Sequence, residues 1–186
     1  MASLAEEHVR EFTRSCVRSG LQGEQELYDE VVLAITTELP DVSDPEGVAR
    51  AWVEEYRDEL RSDMESWPDV TDYQRLQAAF GALEASGVVV LQGCEDHWAA
   101  KAVLDERAGD PPRGIAWFTP PDVWHAIDEG MLEVNLWHAT TANVAPGDTL
   151  LDEVVTAFDE QGLPARFDEG RIEVAAAWQR PLRLET

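Results

Sequence analysis

The chain has 186 residues, with 38 Asp and Glu against 14 Lys and Arg, for a formal net charge of -24. Apolar residues make up 44% of it, which supplies a sizeable core and argues against a disordered acidic tail. So negative a chain is excluded as a nonspecific nucleic-acid binder or a ligand of anionic membrane, because both need clustered Arg and Lys.

The length suits one domain, or one domain with a small helical extension. Met1 to Leu21 lacks the basic-then-apolar pattern of a signal peptide, since Glu6, Glu7 and Glu11 fall where apolar residues are needed. No stretch approaches the roughly 20 apolar residues of a membrane span. Cys16 and Cys94 lie far apart and form no redox pair, so a reducing cytoplasm is the expected setting. The acid is spread through the chain: residues 1–66 have net charge -11 and residues 67–186 have -13. Residues 163–186 hold four acidic and four basic residues, so they are the better place to meet a carboxylate or phosphate group.

The first third reads as helices. Residues 3–19 are predicted to form the first, with Leu4, Val9, Phe12 and Cys16 apolar and Gly20 as its stop. A second runs from Glu24 to Glu38. Its Leu27, Val31, Ala34 and Ile35 repeat at spacings of three and four, and Pro40 ends it. The third has the clearest start, with Asp44 as cap and Pro45 in the first position. Val48, Trp52, Tyr56, Leu60 and Met64 follow at steps of four. Glu46 with Arg50, Arg50 with Glu54, and Arg61 with Glu65 are spaced for i,i+4 pairs. Glu54, Glu55, Asp58 and Glu59 are expected to stand uncompensated on a solvated outer face.

Trp67-Pro68 breaks this pattern. A fourth helix is predicted over Asp72–Ala85, capped by Thr71, with Leu76, Ala79, Phe80 and Leu83 on its apolar face. Val88 to Leu91 reads as a short buried strand, Asp96 to Arg107 as a helix and Arg113 to Phe118 as a strand. A short helix then runs from Pro120 to Glu129, a strand over Leu132–Ala139 and a helix over Thr149–Gln161. Pro164–Phe167 and Ile172–Trp178 form an expected hairpin around Asp168-Glu169-Gly170-Arg171. The expected fold is α/β or α+β: a mixed sheet of about five strands with packed helices. Residues 1–66 form a helical extension packed on a main domain of residues 67–186. The pattern leaves the sheet order open.

Several residues could carry chemistry. Asp122, His125 and Glu129 share one side of a short helix by their three- and four-residue steps, and His138 could approach from the next strand. Asp122, His125 and His138 are therefore the candidate catalytic set, as acid and base or as oxygen and nitrogen ligands. Solvent exposure on a short helix is the plainer reading, with Asp122 serving the first turn. Cys94 and His97 have half of a zinc-site spacing, with no second close pair. A helix start beside Cys94 would also lower its thiol pKa. No phosphate-cradling glycine loop and no nucleophile elbow is present, and no cofactor is expected. Seven tryptophans in so short a chain either line a pocket or, more simply, fill core and subunit contacts.

The segments 72–84, Gly87-Val88-Val89, Gly114-Ile115-Ala116-Trp117-Phe118, Phe158–Leu163 and Trp178-Gln179-Arg180 carry a resemblance. In their order they are similar to an uncharacterised, mainly actinobacterial family of domains of unknown function. The family is cysteine-rich just after the first strand, where this chain keeps only Cys94 and continues Asp96, His97, Trp98. The resemblance implies an α/β arrangement and carries over no reaction.

Three functional readings compete. The leading one is a noncatalytic cytoplasmic domain that binds another protein or itself, with the acidic helical face able to capture a basic partner. The second is a small hydrolase or metal-dependent enzyme using Asp122, His125 and His138. The third is a regulatory domain holding a small molecule in a pocket lined by tryptophans.

Overall fold

A computed structural model of the protein describes residues 3–182. These divide into two compact units: residues up to Pro68 together with Arg180 onward, and Asp69–Gln179.

The first unit holds α1 (Leu4–Ser19), α2 (Glu24–Glu38) and α3 (Pro45–Met64). Each starts and stops where the capping chemistry dictates. The Ser3 hydroxyl accepts from the Glu6 N–H at 3.1 Å, and Asp44 accepts from the Gly47 N–H at 2.9 Å. Gly20 ends α1 in the left-handed conformation, φ 58, against the Arg180 side chain. Val9, Cys16, Leu27, Val31, Ile35, Val53 and Leu60 are buried together as the core of this unit, and Leu182 packs on it.

The acids of α3 are not uncompensated. Glu55 pairs with Arg10 of α1, Glu54 pairs with Arg57 at 2.7 Å, and Asp58 pairs with Arg61. Of the four, Glu59 alone has no ion pair among the described residues. Arg10 also lies over the rings of Trp52 and Tyr56, 5.1 and 5.6 Å from their centroids. Spacing along one helix gives no sign of an arginine supplied by another. Glu46 and Arg50 do approach, at 3.9 Å.

The second unit runs α4 (Asp72–Ala85), β1 (Val88–Gln92), α5 (His97–Glu106), β2 (Gly114–Phe118), α6 (Pro120–Asp128), β3 (Met131–His138), α7 (Thr149–Glu160), β4 (Ala165–Asp168) and β5 (Arg171–Ala175). One sheet results, in the order β1-β2-β3-β5-β4. β1 and β2 are parallel and joined through α5, while the remaining neighbours are antiparallel. A parallel pair needs such a crossover; antiparallel neighbours do not.

β2 is buried along its whole length, so both of its faces are covered. On one face Phe118 meets Phe80 of α4 at 5.7 Å, and Phe80 meets Phe158 of α7 edge-on at 5.8 Å. On the other, Ala100 and Leu104 of α5 pack with Val89, Ile115 and Trp117. β3 alternates buried Leu132, Val134 and Leu136 with half-buried neighbours, as a strand with one core face should. Its partly open face carries the cross-strand pair Glu133–Arg171, and the hairpin adds Arg166–Glu173.

β5 ends at Ala175, short of the predicted Trp178. The chain there leaves the sheet: the Ala176 N–H donates to Gly130 O at 2.9 Å and the Trp178 N–H to Ala126 O at 3.0 Å. Trp178 then packs edge-on to Tyr73, with ring centroids 5.0 Å apart.

Candidate functional site

The three residues singled out for catalysis have separate occupations. Both the Thr119 N–H and the Thr119 hydroxyl donate to Asp122 Oδ2, each at 2.7 Å, closing the capping box of α6. Asp122 is 8% exposed, so that carboxylate is fully engaged in holding the helix start. His125 is exposed on α6. His138 Nε2 stands 3.1 Å from Asp148 Oδ2. The Ala145 N–H and the His138 ring together hold the Asp148 carboxyl below the usual carboxylate range.

Strand register separates Asp122 from His138. His138 lies opposite Gly114 at the start of β2, whereas Thr119 follows Phe118 at its end. Four residues of strand span about 13 Å. The same register keeps Cys94 and His97 away from His138, since Gln92 lies beside Phe118. Among the described residues, no group of three or more His, Cys, Asp and Glu side chains could hold a metal ion. Replacing Asp122 with Ala should cost about 1 kcal/mol, because the half-buried Thr119 N–H and hydroxyl lose their acceptor. Urea denaturation measures this, and Asp122→Asn, which keeps an acceptor, should recover most of the loss.

Cys94 contradicts the expectation of a lowered thiol pKa. Burial pushes it up, with backbone hydrogen bonds at Asp96 and Ala100 pulling weakly the other way. The start of α5 is already occupied: Asp96 Oδ1 accepts from the Trp98 N–H at 2.8 Å and the Ala99 N–H at 2.9 Å. A carboxylate there takes the donors that would have stabilised a thiolate. Cys16 and Cys94 are both free and buried.

The tryptophans do not form a single cluster. Trp52 belongs to the helical core, Trp178 sits against Tyr73 and Phe118, and Trp98 is 65% exposed. Trp117 and Trp137 pack edge-on with centroids 5.1 Å apart, and the buried Trp117 Nε1 finds no hydrogen-bond acceptor.

A concave site does exist beside β1. It has a volume of about 680 Å³ and runs along Val88–Leu91 between the end of α4 and the end of α5. Its apolar wall is Val89, Leu91 and Val103, which pack in the cluster that contains Trp117 and Trp137. Its rim carries Glu84, Glu106, Arg107 and Asp110, all exposed. Pro111 and Pro112 also line it. No tryptophan lines it. In the sequence the rim acids look like any solvated helix end. The one legible signal is Val88–Leu91 itself, four apolar residues in a row on a strand.

Residues 3–182 match the model of a family described as Domain of unknown function (DUF6891). The chain belongs to this family. No curated protein and no solved structure matches it. The family description assigns DUF6891 no reaction or ligand, so its function is argued from the site. Among the described residues of this DUF6891 member, no helix is long and apolar enough to cross a membrane.

Proposed function

We propose that the protein is a noncatalytic ligand-binding domain whose ligand occupies the groove beside β1. The observation that carries this reading is the groove itself. Its volume of about 680 Å³ falls in the range of roughly 300–1,000 Å³ typical of ligand sites. Val89, Leu91 and Val103 give it an apolar strip, and the β1 backbone and the charged rim give it polar groups, so it suits a ligand that has both. Val103 is half-buried at the wall, so Val103→Arg puts a charge into the groove at some cost in packing, which a melting curve measures. Nile red, a neutral apolar dye, serves as the probe. The variant should bind it at least tenfold more weakly at a temperature where its melting curve shows it still folded. Equal affinity in both proteins would overturn the reading.

A second reading is favoured by one observation, the unpartnered Trp117 Nε1 beside Trp137. A small ligand carrying a carbonyl would give that indole the acceptor it lacks. Trp117→Phe keeps the ring packing and removes the donor. Under the groove reading this variant binds Nile red as the parent does. Under the second reading, binding of a carbonyl-bearing probe such as Nile red falls with it.

A further inference from the structure

We infer that the groove is a strand-addition site, and that its occupant is an extended peptide segment carrying basic side chains. This rests on the groove being the ligand site and names what it takes.

The backbone of β1 is the starting point. β1 is an edge strand: among the described residues it pairs with β2 on one side and with no strand on the other. In any strand alternate residues turn their N–H and C=O to opposite sides, so half of the β1 backbone groups point away from β2. Those groups border the groove, because Val88, Val89, Val90 and Leu91 all line it. The two edges of the sheet are treated differently by the sequence. β4, at the far edge, is four residues long and carries Arg166 and Asp168, the charged residues that discourage pairing. β1 is five residues long and has no charge and no proline. An edge left open in this way, inside a groove and not on a flat surface, is suited to receive a strand.

Charge selects the occupant. The rim has Glu84, Glu106 and Asp110 against Arg107. A second copy of the chain would bring the same acids against themselves, with a net charge of -24 on each molecule. A segment with Lys or Arg at alternate positions would place those side chains on the α4 side beside Glu84, while its remaining side chains turn to the α5 side and meet Val89, Leu91 and Val103. Main-chain hydrogen bonds then supply affinity, and alternate side chains supply selectivity.

The test uses the whole protein and a capped heptapeptide of alternating lysine and valine, with binding followed by calorimetry. Two further peptides carry N-methyl groups on the odd or the even positions. Strand pairing uses alternate residues only, so one methylated peptide should lose at least tenfold in affinity and the other should bind as the parent does. The double variant Glu84→Lys, Glu106→Lys should also lose at least tenfold. Both methylated peptides binding alike, whether well or badly, overturns the inference. So does a charge-reversed protein that binds undiminished, or a free protein that is a dimer dissolved by the peptide, which would assign the edge to a second copy. If no peptide binds while Nile red still does, strand addition fails and the ligand-binding reading stands. If neither binds, both fail.

Discussion

Phe80→Ala should destabilise the sheet-bearing unit by about 3–5 kcal/mol, the range for truncating a large buried aromatic. Phe80 is 2% exposed and is the ring through which α4 meets both β2 and α7. Its loss opens a cavity between two fully buried rings, Phe118 and Phe158, each of which also forfeits an edge or tilted aromatic contact. A domain of this size is held by only about 5–15 kcal/mol. The change therefore takes a large share of the margin. Chemical denaturation with an unchanged slope and a much lower midpoint is the expected result. A midpoint shift worth under about 1 kcal/mol would mean that the three rings are not the centre of the core.

Gly114→Ala should be nearly as harmful although it adds one methyl group. A Cβ at this position would stand 2.6 Å from Trp137 O and 2.7 Å from Leu150 Cδ2. Leu150 can turn aside, but the carbonyl belongs to the neighbouring strand and cannot move without opening the β2–β3 ladder. The expected cost is about 1–3 kcal/mol, at the upper end because backbone must shift. Thermal unfolding of the variant measures it. Leu150→Ala, which relieves only the flexible half of the clash, should rescue little when added to Gly114→Ala. Full rescue would place the obstruction in the side chain and not in the strand.

Local chemistry made much of this fold legible. Thr71 followed by Gln74, Asp44 followed by Pro45, and Gly20 after a periodic run each carry a capping mechanism, and the helices begin and end on them. The fold class follows from the alternation of those helices with short apolar strands, as observed in the five-stranded sheet. Sheet order is a different matter. It is fixed by which strands meet across long separations, and nothing local to Val88–Gln92 marks it as an edge. The candidate site was hidden for the same reason. Glu84, Val103 and Asp110 come from a helix end, another helix and a loop, and they share a groove only because β1 lies between them.

The catalytic expectation shows the limit from the other side. Asp122 and His125 share one short helix, as their spacing predicts, but helical spacing cannot say that Thr119 takes the carboxylate. Nor could it foresee that His138 pairs with Asp148 at the other end of β2. The acids of α3 teach the same lesson, since Arg10 reaches them from a different helix.

Whether the groove beside β1 is the ligand site is tested most directly by amide chemical-shift mapping of the whole protein as Nile red is added. The expected result is a set of shifts confined to residues 84–91 and 103–110, saturating with a single affinity. Shifts centred on Trp117, Asn135 and Trp137 with β1 unmoved, or no shifts along β1 at saturating dye, would contradict it.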